Sequence, residues 1–211
     1  MATPQRNFLN GQIYHVVNRG VDGRRIFMDA IDASHLLKTL AYYQQQLRST
    51  RLSLSNFELA DRGPQLRFLI IAQCVMPNHI HWIIKQLDDS GIRLGMSDIF
   101  NSYTRYFNTR HKRVGHLFQG TFRAVPIESD EQLVHTVRYA FINPVVAGLS
   151  DDPGSYHWSS YSEVIQKPKI SLTDPSDFCA YFSDTDQLQS FVLDQIDYGR
   201  SLESIKHLTL E

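Results

Sequence analysis

Two apolar runs meet across Met76-Pro77-Asn78, and this junction constrains the fold more than any other feature of the chain. Leu66–Val75 is apolar enough for a strand, and His79–Lys85 resumes as a strand directly after the break. Proline has no amide hydrogen, so a sheet ladder does not run through it. Gly11–Arg19 alternates Ile13, His15 and Val17 against Tyr14, Val16 and Asn18, which reads as another strand, closed by a turn at Gly20 and Gly23. Leu52–Leu59 is also strand-like, with Asp61-Arg62-Gly63-Pro64 as the turn that follows it.

Helical spacing appears in three places. Asp29–Leu47 carries Ile31, Leu36, Leu37, Leu40, Tyr43 and Leu47 at steps of three and four. Arg93–His111 places Leu94, Ile99, Tyr103, Tyr106 and Phe107 on one side. Ser129–Ile142 opens with Ser129 as N-cap and acids at Asp130 and Glu131, and Pro144 is expected to end it. With Leu117–Ile127 extended, the order of the main elements is strand, helix, strand, strand, helix, strand, helix. Its first part matches a β-α-β-β-α-β arrangement, an α+β architecture with an antiparallel sheet on one side and helices on the other. Composition shifts near Lys167-Pro168-Lys169, so the main domain is read as 1–168 and an acidic, helical C-terminal extension as 169–211. The extension carries an apolar segment (Phe178, Tyr181, Phe182) and a helix candidate at Asp186–Tyr198.

Composition narrows the function class. With 42% hydrophobic and 20% charged residues among 211, gross disorder and coiled coil are excluded. No apolar run approaches the ~20 residues of a membrane span, and Met1–Gly11 has no signal-peptide core. Cys74 and Cys179 form no disulfide framework and fit buried thiols in a reducing cytoplasm. The net charge of −1 hides an asymmetry: residues 1–170 hold 19 Lys+Arg against 14 Asp+Glu, and residues 171–211 hold 2 against 8. From Ile99 to Ile127 there are five basic residues, two histidines and no acid. This suggests a body that binds polyanions, although a solvated helix face shows the same pattern.

His79 and His81 are the first candidate pair for chemistry. Residues i and i+2 of a strand share a face, so both imidazoles project together and could hold a divalent ion. Two unrelated surface histidines have the same spacing. Tyr139 and Asn143, one helical turn apart, also share a face. The Asn143 amide could reach a metal or a phosphate. The Tyr139 phenol, with an ordinary pKa of ~10, needs a metal or cation nearby to act as a nucleophile; a tyrosine on an amphipathic helix is more commonly core. Tyr103 and Tyr106, interleaved with Arg105 and Arg110, suit base stacking and phosphate contact, and equally suit packing. His15 and His135 have no partner visible in the sequence. P-loop, dinucleotide and nucleophile-elbow signatures are absent.

Five motifs in order complete the reading: Tyr14-His15-Val16-Val17-Asn18-Arg19-Gly20, Met76-Pro77-Asn78-His79-Ile80-His81, His116-Leu117-Phe118-Gln119-Gly120, Arg138–Gly148 with its Asn143-Pro144-Val145 centre, and Trp158-Ser159-Ser160-Tyr161. Over roughly residues 8–165 the chain resembles the single-tyrosine transposases of the HUH endonuclease superfamily, and most closely the REP-associated tyrosine transposases of bacteria. The resemblance implies a ferredoxin-like core and cleavage and joining of single-stranded DNA near a hairpin through a 5′-phosphotyrosine intermediate. It assigns metal binding to His79, His81 and Asn143 and nucleophilic attack to Tyr139. The position that the family usually fills with Arg is Val146 here, so that contact does not carry over.

Mixed His and amide ligation fits Mg²⁺ or Mn²⁺. DNA contacts are expected from Arg19, Tyr103, Arg105, Arg110, Lys112, Arg113, Gln119 and Arg123. The expected partner is single-stranded or hairpin DNA, with a possible homodimer and a cytoplasmic, nucleoid-associated location. The acidic extension is expected to fold over the basic face and tune DNA access. The competing readings are a domesticated DNA-binding protein without catalysis, a phosphodiesterase that uses water, and a small-molecule-binding domain.

Overall fold

The computed structural model describes residues 8–46, 50–61 and 63–201. Strand β1 (Ile13–Arg19) leads to helix α1 (Ala30–Tyr43), strands β2 (Phe68–Met76) and β3 (His79–Gln86), helix α2 (Gly91–Arg110), strand β4 (Arg123–Ile127) and helix α3 (Asp130–Val146). Three shorter helices follow: α4 (Tyr161–Gln166), α5 (Ser176–Cys179) and α6 (Thr185–Leu193). The sheet order is β2-β3-β1-β4, with every neighbouring pair antiparallel. This is the α+β arrangement that the element order implied, with the ferredoxin-like core that the resemblance implied.

The Pro77-Asn78 break is a two-residue hairpin turn, because Met76 pairs with His79 across it. The β1–α1 loop braces the turn: Gly20 N–H donates to Asn78 O, and Ile26 N–H donates to Pro77 O. The start of β3 is therefore held on two sides.

Alternation along the strands divides the interior into two layers. Val16, Ile80, Trp82 and Ile84 face α1 and α2 and pack with Leu36, Leu40, Met96, Ile99 and Tyr103. Cys74, Met76 and Ile83 face the other way, against Val137 and Phe141 of α3 and against Phe178, Leu188 and Val192 of the C-terminal helices. The β2–β3 register shifts between Ile70 and Ala72, so Ile71 and Ala72 both enter the second layer.

The structure corrects three expectations about the elements. Leu52–Leu59 forms no strand, only 3-10 turns at Leu52–Leu54 and Leu59–Asp61. Leu52 is buried while Leu54 is exposed, and the Ser55 hydroxyl accepts from Phe57 N–H, a local bond that competes with a ladder. Asp29 is the N-cap of α1, accepting from Ile31 and Asp32 N–H, and is not a helical residue; the expected end at Leu47 lies outside the described residues. Pro144 does not stop α3, which runs on to Val146. It ends where Gly148 takes a φ of 67°, with Leu149 N–H donating to Pro144 O and Gly148 N–H to Val145 O, a Schellman cap.

The described part of the acidic extension, residues 169–201, does not cover the basic helix. Helices α5 and α6 pack on α3, across the sheet from α2, and Asp174 N–H bonds Ile70 O at the edge of β2. Trp158–Ser160 lies along the same edge: Trp158 O accepts from Val75 N–H, and Ser160 N–H donates to Gln73 O. These bonds cover an otherwise bare strand edge. Among the described residues, no helix is long and apolar enough to cross a membrane.

Candidate active site

His79 and His81 stand at the start of β3, on the face that α3 covers. Their rings are 4.8 Å apart and nearly perpendicular. Register places Arg19 opposite His79 and Val17 opposite His81, and Arg123 of β4 opposite Val17. Helix α3 crosses above. Its Tyr139 ring stands edge-on to His81 at 5.3 Å and is 52% exposed, so a large aromatic residue of an otherwise packed helix faces solvent at the mouth of the site. One turn on, Asn143 Nδ2 donates to His81 Nε2 at 3.2 Å. The four residues chosen by spacing thus converge on one corner of the sheet.

Both imidazoles are held neutral. Burial lowers the pKa of His79, and the Arg19 charge lowers it further. Burial lowers His81 well below the usual value, with His79 and His15 adding to the effect. Neutral imidazoles are the form that binds metal. His79 Nδ1 bonds the Asn78 side-chain oxygen at 2.6 Å, leaving Nε2 free. His81 likewise has its Nδ1 engaged, by His15 Nε2 at 2.9 Å. Among the described residues no group of three or more His, Cys, Asp or Glu side chains could hold a metal. The donor set is two imidazole Nε2 atoms and the amide of Asn143, which presents its oxygen after a half-turn of the isosteric group. These donors fit a divalent ion whose other positions are left to water and phosphate.

A groove of about 590 Å³ opens beside His79, lined by Val17, Asn18, Arg19, Gln119, Thr121 and Arg123. Arg19, Gln119 and Arg123 therefore lie together at the site. Gln119 is positioned by its N–H bond to Arg19 O, and Gly120, at φ 65°, turns the loop. Sequence reasoning missed Thr121 and Asn18. Asn18 is buried and its Nδ2 has no partner; the alternation of β1 pointed it into the core.

The other expected DNA contacts are dispersed. Tyr103 is fully buried and donates its hydroxyl to Ile26 O at 2.6 Å, so it cannot stack on a base. Arg110 is bound by Asp29 and by Asp32, whose side chain is fully buried and also takes bonds from Met28 N–H, Tyr106 and His111. It ties α2 to α1. Arg105 lines a separate polar hollow with Arg51, Arg67 and Asp98. Arg113 bonds Asn108 and lies over the Phe107 ring, and Lys112 is exposed at the end of α2. Val146 packs toward Gly199, where an added Cβ would fall 2.7 Å from its Cγ2.

No family model and no curated protein matches the chain. Among solved structures, one is similar over 85% of this chain and 96% of the other, with a TM-score of 0.58 and 18% identity: the structure of a REP-associated tyrosine transposase bound to a REP hairpin. The two share a fold. A second structure, from Deinococcus radiodurans R1, overlaps with a TM-score of 0.39 at 11% identity, covering 63% of this chain and 91% of that one.

Proposed function

We propose that this protein is a tyrosine transposase that cleaves and rejoins single-stranded DNA beside a hairpin. The observation that carries the reading is the exposed Tyr139 ring, set against a His81 that Asn143 also contacts, with His79 lining an arginine-bearing groove. The hairpin partner is suggested by the ligand in the related structure.

Tyr139 Oη attacks the scissile phosphorus. The Oη–P bond forms, the P–O3′ bond breaks, the phenol gives up its proton and the departing 3′ oxygen gains one. The products are a 5′-phosphotyrosine and a free 3′-OH. The linkage stores the phosphodiester energy, so another 3′-OH can displace the tyrosine and join strands. His79, His81 and Asn143 would hold Mg²⁺ or Mn²⁺, which supplies Lewis-acid polarisation of the phosphate. Arg19 and Arg123 would grip the flanking backbone, and Gln119 and Thr121 would orient it. Each chain offers one Tyr139, so two cleavages need two copies or two successive turnovers.

The test mixes the protein and Mn²⁺ with end-labelled hairpin DNA taken from beside its own gene. A slow, protease-sensitive band on a denaturing gel is expected from wild type and is absent in Tyr139→Phe. Cleavage without that band would replace the tyrosine with water. Binding unaffected by Tyr139→Phe or by chelator, with no cleavage, would mean a DNA-binding protein without chemistry.

A further inference from the structure

His15 is half-buried beside the site and has no role in the steps above. Register explains how it reaches His81. Val17 lies opposite His81 and His15 opposite Ile83, so His15 and His81 are diagonal neighbours on one sheet face. Their rings stack at 5.2 Å and 23°, with His15 Nε2 2.9 Å from His81 Nδ1. The other side of the His81 ring is also committed, because Asn143 Nδ2–H points at Nε2. An imidazole Nε2 that accepts a hydrogen bond carries a lone pair, so the proton of neutral His81 is on Nδ1. Nδ1–H then donates to His15 Nε2, which must itself be the bare nitrogen of its ring. His79 repeats the pattern with Asn78 Oδ1 as its acceptor.

We infer that His15 is a positioning residue that fixes His81 in the Nδ1–H tautomer and aims its Nε2 lone pair into the site. The functional part of this inference rests on the metal site proposed above; the tautomer itself does not. The two acceptors come from different elements, Asn78 from the hairpin turn and His15 from the neighbouring strand. Each imidazole is therefore oriented by a group that its own strand does not supply. An acceptor behind a metal-binding imidazole raises its basicity and removes ring flips, and losing one costs about 10- to 100-fold in metal affinity.

Two variants test this. His15→Phe keeps a flat ring and removes the acceptor; His15→Gln returns an acceptor oxygen on a shorter side chain. Long-range ¹H–¹⁵N correlation spectra of the metal-free protein report each tautomer directly. Wild-type His81 is expected as the Nδ1–H form, as a mixture in His15→Phe and restored in His15→Gln, with His79 unchanged throughout. Titration with Mn²⁺ alone, followed by electron paramagnetic resonance, is expected to weaken tenfold or more in His15→Phe and within about threefold in His15→Gln. An unchanged His81 tautomer in His15→Phe, or an Nε2–H form in wild type, would overturn the inference. If wild type fails to bind Mn²⁺, the metal reading falls, and the tautomer spectra still decide the role of His15. Should His15→Phe fail to fold, wild type and His15→Gln still give the tautomer.

Discussion

Arg123 and Tyr103 both entered the expected set of DNA contacts, and their surroundings separate them. Arg123 is exposed, has no ion pair among the described residues and lines the groove beside His79. Arg123→Ala should leave the midpoint of urea unfolding nearly unchanged, as for most surface substitutions. It should lower the salt dependence of single-strand binding by about 0.7 in the log–log slope, one phosphate contact. Tyr103→Phe should do the reverse. It strands the buried Ile26 carbonyl and costs about 1–2 kcal/mol in urea unfolding, with DNA affinity unchanged. The burial of Tyr103 was legible, since it lies four residues from both Ile99 and Phe107 on the apolar stripe. The capture of Arg110 by Asp29 and Asp32 was not, because those acids are some eighty residues away and only the packing of α1 on α2 brings them near. The same limit hid His15. Same-face spacing within an element found His79 with His81 and Tyr139 with Asn143. Contacts between strands depend on register, which the sequence leaves free until the hairpin turn is placed.

Helix α3 shows what is legible in an element and what is not. Its start followed from Ser129, whose hydroxyl accepts from Gln132 N–H. Its end did not, because Pro144 is the stronger sequence signal and Gly148 the real stop. A proline in the last turn forfeits one hydrogen bond near a terminus where carbonyls lack partners in any case. Gly148 takes a left-handed conformation that closes two of those carbonyls. The difference bears on the site, because Asn143 sits inside a continuous helix and its reach to His81 is set by the same rigid turn that holds Tyr139. Gly148→Ala introduces no clash, since no atom lies within 4 Å of the added Cβ, but it forces an alanine to φ 67°. The expected cost is about 1 kcal/mol, read as a lower thermal midpoint. Adduct formation at 25 °C should persist, because the site lies a turn or more upstream. Loss of the adduct with the fold intact would mean that the cap also sets the angle of α3 over the histidines.

For the whole molecule, the charge asymmetry was legible and its meaning was not. Net charge says nothing about which face a segment takes. The described part of the extension goes to α3 because Phe178, Leu188 and Val192 find the second layer there, helped by the Lys85–Asp177 pair at 2.9 Å and by Arg138 over the Phe191 ring. The two layers also give the protein two distinct acid responses. In the second layer, burial lowers the pKa of His15 to about 4, and His79 and His81 are lowered as well. A histidine lowered on folding binds fewer protons than in the unfolded chain. Its contribution is therefore complete above the ordinary value of ~6.5 and is lost as pH falls from there toward the folded value. In the first layer the sign is the same but the pH window lies lower. Burial alone would raise Asp32, but Met28 N–H, Arg110 and His111 outweigh it, and Asp29 is lowered to about 2, chiefly by its bond to Arg110. Those carboxylates keep their stabilisation until pH falls below their unfolded value of ~3.8. Acid should thus loosen the face that carries the candidate site first. In chelator, wild type is expected to lose about 3 kcal/mol on account of His15 alone between pH 7 and pH 4, as two to three pKa units at ~1.4 kcal/mol each require. In the same urea titrations His15→Gln should show a shallower pH slope over that interval and the same slope below it. Equal slopes for the two proteins would mean that His15 takes up its proton without disturbing the fold.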